Sequence, residues 1–169
     1  MEIRVLLADD AAAFQELRLL ALRECPTAFS SSYEEECDIS LTKVAERLAA
    51  APDRAVFGAF DDGRLAGVVG LLRERHRKLS HKALIWGVYV APAFRRRGVG
   101  RRLLRAALDH AGTMSGLRQV SLGVNAGNSA SIALYESLGF ESYGVEKGFM
   151  LVDGVLHDEI HMSRVIAKT

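Results

Sequence analysis

The segment KALIWGVYVAPAFRRRGVGRRLL, from Lys82 to Leu104, constrains the fold more than any other. Its first nine residues are almost all apolar and bulky, so Lys82–Val90 reads as a central strand buried on both faces. Ala91-Pro92 ends that strand, because proline has no N–H with which to continue a ladder. From Val99 to Met114, Leu103, Leu104 and Leu108 recur at helical spacing and define the inner side of a helix. A buried strand therefore runs through a short glycine-bearing turn into an amphipathic helix, the joint of an α/β chain.

The remaining elements fall around this joint. Ile3–Leu7 reads as a first strand, with Asp9 or Asp10 capping a helix that reaches about Arg23. Phe14, Leu17, Leu20 and Ala21 mark its inner face, and Pro26 stops it. Thr27–Asp38 reads as an ordered loop with at most one helical turn. Ser40 caps a second helix to about Ala50, with Val44 and Leu48 on one face. Ala55–Phe60 and Leu65–Leu72 form a hairpin about Asp61-Asp62-Gly63. Arg73–Ser80 is a basic connection to the central strand. Gln119–Val124 is a further strand, and Ser129–Leu138 a helix closed by Gly139. Phe140–Val145 and Leu156–Arg164 end the chain as strands, with a turn at Asp153-Gly154. This predicts an α/β (α+β) fold of about seven strands and about four helices, in one domain over residues 1–169.

Charge excludes some functions. Lys and Arg number 22 against 21 Asp and Glu, so the molecule is no polyelectrolyte, and a general nucleic-acid binder is not expected. No apolar run approaches the roughly 20 residues of a membrane span, and the N-terminus lacks the basic start of a signal peptide, so a cytoplasmic location is expected. Cys25 and Cys37 have no metal-ligand spacing and read as free thiols. His157, Asp158 and Glu159 are contiguous, but side chains alternate along a strand and only His157 and Glu159 share a face, so no metal is expected.

The turn itself carries chemistry. Gly98 and Gly100 let backbone N–H groups approach a ligand, and those groups open a helix whose first donors have no internal partner. The dipole there favours an anion, and Arg95, Arg96, Arg97, Arg101 and Arg102 surround it with positive charge. Other phosphate loops fit poorly. There is no GxxxxGK followed by Ser or Thr, and Leu103 stands where a dinucleotide loop needs its third glycine. A solvated arginine-rich helix start and a nucleic-acid patch are the competing readings.

VYVAPAFRRRGVGRRLL resembles the cofactor loop of the GNAT N-acetyltransferases, with Arg95, Gly98 and Gly100 on the signature positions. NSASIALYESLGF, Asn128 to Phe140, is similar to the same family's C-terminal cofactor helix. The resemblance covers nearly the whole chain. It implies a mixed, mostly antiparallel sheet with splayed central strands, and acetyl-CoA as co-substrate. It implies that the backbone of Arg96, Arg97, Gly98, Val99, Gly100 and Arg101 holds the CoA pyrophosphate. Val88, Tyr89 and Val90 would pair with the pantetheine arm, which Asn128 would also contact. Tyr135 would protonate the departing thiolate. Asn128 also reads as a helix N-cap, and Tyr135 as a packing aromatic.

The implied reaction moves an acetyl group to a primary amine, on a small molecule or a peptide. An alkyl amine with a pKa of about 10.4 is almost wholly protonated at neutral pH, so a proton acceptor is needed. Charge developing on the acyl oxygen needs a donor, and Gly87 marks a strand bulge that exposes the N–H of Val88 or Tyr89. Some relatives carry a Glu five residues before the matching Asn; here that position is Gly123. Glu34, Glu35, Glu36, Glu74 and His81 stay open as bases, as does a water chain. Tyr33 and Trp86 line the acceptor pocket or belong to the core. The acidic run Glu34–Glu36 points to a cationic acceptor. The alternative function is a non-catalytic acyl-CoA sensor, and a homodimer through the closing strands is compatible with the family.

Overall fold

The computed structural model describes residues 1–166; residues 167–169 of the expected domain lie outside them. In chain order the elements are β1 (Glu2–Val5), α1 (Ala11–Glu24), α2 (Tyr33–Glu36), α3 (Leu41–Leu48), β2 (Arg54–Asp61) and β3 (Arg64–Arg73). They continue with β4 (Lys82–Val90), α4 (Val99–Thr113), β5 (Gln119–Asn125), α5 (Ser129–Glu136), β6 (Glu141–Val152) and β7 (Val155–Val165). Single 3-10 turns occupy Ala8–Asp10, Pro26–Ala28 and Pro92–Phe94.

Local chemistry explains most boundaries. Ser40 Oγ accepts from Lys43 N at 3.4 Å and starts α3. Ser32 and Glu35 cap α2 reciprocally, through Glu35 N to Ser32 Oγ at 3.2 Å and Ser32 N to Glu35 Oε2 at 2.7 Å. Asp62-Gly63 and Asp153-Gly154 all have positive φ, the two-residue turn whose twist matches a hairpin. Gly139, at φ +80, closes the chain after α5 as expected.

One sheet carries the strands in the order β1-β2-β3-β4-β5-β7-β6. Every pairing is antiparallel except β4 with β5. That parallel pair holds only from Lys82↔Gln119 to Leu84↔Ser121, after which the two strands part. The splayed centre is thus present. The helices cover both faces. A Cβ on Gly67 would meet Leu103 of α4, whereas Tyr89, opposite neighbouring Val68, bonds Glu24 of α1. Leu6, Leu71, Leu103, Leu104, Val120 and Met162 are fully buried between these layers.

Three expectations need correction. β4 is not buried on both faces: Leu84 is 39% exposed, because side chains of α1 and α3 rim a pocket over it instead of filling it. In α1, Leu20 is 40% exposed and Ala21 and Leu22 take the inner face. α2 is the one helical turn allowed for within Thr27–Asp38. β6 runs on to Val152 instead of stopping at Val145, through an irregularity between Glu146 and Met150. Asp158 of β7 holds that irregularity by accepting from Gly148 N at 2.9 Å and Lys147 Nζ at 2.7 Å.

Candidate active site

The turn between β4 and α4 is built as an anion cradle. After the Pro92–Phe94 turn, Arg96 takes φ +62 and Gly98, the N-cap of α4, takes φ +73. A Cβ on Gly98 would meet nothing within 4 Å, so conformation rather than crowding calls for glycine there. Among the described residues, none of the backbone N–H groups from Arg96 to Arg101 finds an acceptor; the first bond is Arg102 N to Gly98 O at 3.1 Å. Val99 is 2% exposed, so its side chain anchors the helix in the core and only its backbone is offered. A Cβ on Gly100 would meet Leu134 Cδ2 at 3.4 Å, an ordinary contact, so crowding does not call for glycine there either.

The arginines divide by role. Arg95 folds back on the loop, its Nε donating to Val90 O at 2.9 Å and its Nη2 to Glu24 Oε2 at 3.2 Å. Arg101 Nη2 donates to Ser137 Oγ at 2.8 Å and ties α4 to α5. Arg96 and Arg97 are exposed beside the free N–H groups.

The expected bulge is at Gly87, with φ +63. Val68↔Tyr89 and Gly70↔Trp86 are partners, so β4 has one residue more than β3 there. Trp86 and Tyr89 consequently face α1 together although three residues apart: the indole covers Gly70, and the Tyr89 hydroxyl donates to Glu24 Oε2. Ala91 N donates to Ala66 O at 2.9 Å, and by alternation Tyr89 also turns its backbone to β3. Val88 and Val90 turn theirs to the cleft. Of the three residues expected there, Tyr89 does not offer its backbone, and the Val90 carbonyl is already taken by Arg95.

Where β4 and β5 part, a cavity of about 60 Å³ opens, lined by Phe29, Trp86, Gly87, Val88, Gly123, Asn128 and Tyr135 among others. Tyr135 is 6% exposed and stacks edge-on against Phe140 at 6.0 Å. Burial pushes its phenol up to about 12, so it stays protonated at neutral pH. Asn128 Oδ1 accepts from Ser131 N at 3.1 Å, the capping role read from the sequence.

On the α1 side, Trp86 also borders a second pocket of about 660 Å³. Arg18, Arg47, Arg54, Arg73 and Arg75 line it, against Glu36 and Glu74. Arg54 keeps a buried Nε with no partner among the described residues. Glu36 is turned inward and gripped by Arg18, through Oε1 at 2.8 Å and Oε2 at 3.1 Å. Burial alone would raise its carboxyl, but the bonds from Arg18 and Ser31 and the charge of Arg47 hold it below the usual carboxylate range. Glu35 is spent as a cap and exposed Glu34 borders a different groove, so the three acids form no common patch on this pocket. Glu74 is exposed on the pocket rim, and His81 sits at the paired end of β4, away from the cavity. Tyr33 stacks under Arg23 and lines a groove between its loop and the β6–β7 turn. Among the described residues no group of three or more His, Cys, Asp or Glu could hold a metal.

One group escaped the sequence reading. The carboxylate of Glu159, on β7, lies directly over Gly123. The only available signal was its sharing a strand face with His157, which does not reveal what that face overlooks.

This cradle, bulge and tyrosine on splayed strands define a class. The model of the Acetyltransferase (GNAT) family matches residues 14–140, and the chain belongs to that family. It is 37% identical over 108 residues to the N-alpha-acetyltransferase RimI of Mycobacterium tuberculosis, covering 64% of this chain and 65% of that one. It is 41% identical over 68 residues to the ribosomal protein bS18 alanine N-acetyltransferase of Salmonella typhimurium, covering 40% of this chain and 45% of that one. Each match thus spans less than two thirds of the relative's length. Among solved structures, a GNAT acetyltransferase from Streptococcus pneumoniae superposes with a TM-score of 0.86 at 23% identity, over 98% of this chain and 99% of that one. The yncA protein of Salmonella typhimurium, solved with its cofactor acetyl-CoA, gives 0.83 at 23% identity, over 100% and 95%. These two share the fold. Among the described residues no helix is long and apolar enough to cross a membrane.

Proposed function

We propose that this chain, as one domain over residues 1–169, transfers an acetyl group from acetyl-CoA to a primary amine. The observation that carries the reading is the run of N–H groups from Arg96 to Arg101, unpartnered among the described residues, at the head of the helix that follows the strand whose Gly87 and Val88 line the Tyr135 cavity. Those amides, with Arg96 and Arg97, fit a pyrophosphate. Acetyl-CoA, when bound, supplies the activated acetyl group. The free backbone edge of Val88 and the N–H of Val90 pair with its amide arm, which Asn128 also meets. The Val88 N–H, freed by the bulge, faces the place where charge grows on the acyl oxygen. Tyr135 gives its proton to the leaving sulfur. The test is acetyl-CoA binding by calorimetry or thermal shift, with ATP and NADH as controls. Selective stabilisation is expected, about 2.7 kcal/mol at 100 times the dissociation constant. No binding at millimolar ligand would reduce the arginine run to a docking surface.

The acceptor reading follows the charge of the adjoining pocket. Five arginines against two glutamates, with Arg18 paired to Glu36, Arg75 to Asp53 and one Arg54 nitrogen buried and unpartnered among the described residues, favour an acceptor that carries a carboxylate or phosphate near its amine. This replaces the cationic acceptor expected from Glu34–Glu36. An acidic amino acid or acidic peptide should be acetylated faster than spermidine, and Arg47→Ala should raise its KM. Preference for spermidine would reject this choice. The apolar side chains exposed on the closing strands, such as Leu151 and Leu156, support a homodimer there. Sedimentation at micromolar concentration tests it, and a monomer would rule it out.

A further inference from the structure

Gly123 has an unusual neighbour. A Cβ built on it would lie 2.0 Å from Glu159 Oε1 and 2.4 Å from Glu159 Cδ. The carboxylate therefore fills the volume that a side chain at position 123 would need. Register explains how it gets there. Gly123↔His161 and Asn125↔Glu159 are partners on β5 and β7, so Glu159 leans diagonally across the glycine. Asn125 Nδ2 donates to Thr27 O, in the turn after α1, which puts this row of side chains on the α1 face. Gly123 also lines the cavity between the parted strands, together with Gly87, Val88 and Tyr135. Glu159 does not itself line that cavity; its carboxylate borders it across Gly123 from the α1 face, while Tyr135 lines it from α5.

The surroundings leave this carboxylate free to take a proton. Its side chain is 16% exposed, and its one charge-pair contact among the described residues is His161 Nδ1, at 3.7 Å. No lysine or arginine pairs with it there, unlike Glu36, Asp10 and Asp158. Across from it, β6 contributes Glu146, whose carboxylate meets His161 Nε2 at 3.1 Å. β5 contributes only Gly123 and Asn125, and the turn after α1 the uncharged Thr27. Burial pushes the Glu159 carboxyl up, His161 opposes this and Glu146 adds to it, for a net rise.

We propose that Glu159 is the general base of this chain, reaching over Gly123 to deprotonate the acceptor amine. The proposal rests on the acetyl-transfer reading above. A proton passes from the acceptor ammonium to the Glu159 carboxylate. The freed nitrogen lone pair forms the C–N bond with the acetyl carbon. The C–S bond breaks with its electron pair on sulfur, which takes the Tyr135 proton. The new amide nitrogen loses its second proton through water to the Tyr135 phenolate, and Glu159 releases the first to solvent, which restores both side chains.

The experiment compares wild type, Glu159→Gln, Glu159→Ala, Gly123→Glu and Gly123→Glu/Glu159→Ala. CoA release is followed from pH 6 to 9 with L-glutamate, an alanine-initiated hexapeptide and spermidine as amines, alongside thermal melts. Glu159→Gln should lose about 10²–10⁴-fold in kcat/KM at pH 7 with unchanged acetyl-CoA affinity. Its log rate should climb with unit slope toward the amine pKa, because only free amine then reacts, whereas wild type should be level over the same range. Gly123→Glu alone should melt lower than wild type, and the double variant should recover both stability and at least tenfold of the rate lost in Glu159→Ala. A uniform loss with an unchanged pH profile, or a double variant no better than Gly123→Glu, overturns the proposal. Wild type that releases CoA with none of the three amines rejects the transfer reading itself, and the base with it. Activity in wild type equal to that in Glu159→Gln rejects the base alone.

Discussion

Replacing Glu36 by Leu isolates the contact that pins the segment after α1. Glu36 and Arg18 bury their charges together, with side chains 9% and 11% exposed and two bonds of 2.8 and 3.1 Å. Removing the carboxylate leaves the Arg18 guanidinium buried with no counter-charge. Breaking such a pair costs about 3–5 kcal/mol. Arg47 adds little, being half exposed and 3.9 Å away. In a domain of this size each kcal/mol moves the melting temperature by about 2–4 °C, so a drop of roughly 6–20 °C is expected. Arg18→Met/Glu36→Leu should recover most of it, since an apolar pair of similar volume needs no counter-charge. The sign of the pH dependence follows from the lowered carboxyl. Its stabilisation is complete above the unfolded carboxylate pKa, about 4.3, and is lost as pH falls through the folded value. Acidification below about pH 4 should therefore narrow the gap between wild type and the double variant. Urea unfolding of the three proteins at pH 7 and pH 3.5 measures this. A single-variant loss below about 1 kcal/mol, or a gap that widens in acid, would refute the argument.

Four further predictions are independent of that pair. Tyr135→Phe should cut kcat by about 10²–10⁴-fold and leave acetyl-CoA affinity unchanged; equal turnover would remove its proton-donor role. With its phenol near 12, wild-type kcat should show no alkaline fall from Tyr135 up to about pH 10, and a fall centred near pH 8 would contradict the burial argument. Gly98→Ala forces an L residue to φ +73 in open space, so the cost is strain of about 1–2 kcal/mol, read as a lower melting temperature and weaker acetyl-CoA binding. Gly70→Ala places a Cβ 2.1 Å from Trp86 Cε2 and must displace the indole. Trp86 is the one tryptophan in the chain, so a shift in emission reports it directly, and an unmoved spectrum would mean the indole does not cover Gly70.

What the linear chain reveals is what neighbouring residues decide. The anion cradle was legible because its parts are contiguous: a proline-ended strand, a glycine able to take positive φ, and the donor-rich first turn of a helix. The bulge at Gly87, the hairpins at Asp62-Gly63 and Asp153-Gly154, and the caps at Ser40 and Asn128 were legible for the same reason. Each is settled by backbone preferences over a few residues. The second half of β6 was not, because Glu146–Met150 reads as a polar break until Asp158, on another strand, holds it in place.

The α1 face of the sheet depends on side chains that meet only after folding. Whether Glu36 faces solvent or core is decided by Arg18 on another helix, so the acidic run misled. The arginine pocket draws on α1, α3, β2 and β3, and no short segment carries its charge. Gly123 looked like a missing carboxylate, yet β7 brings Glu159 into that volume. The sequence alone determined the order of elements and the glycine-bearing turn between β4 and α4, through local backbone physics. Only the tertiary structure decided where the charges on the α1 face point, because pairing and burial are set by strand register and helix packing between residues far apart in the chain.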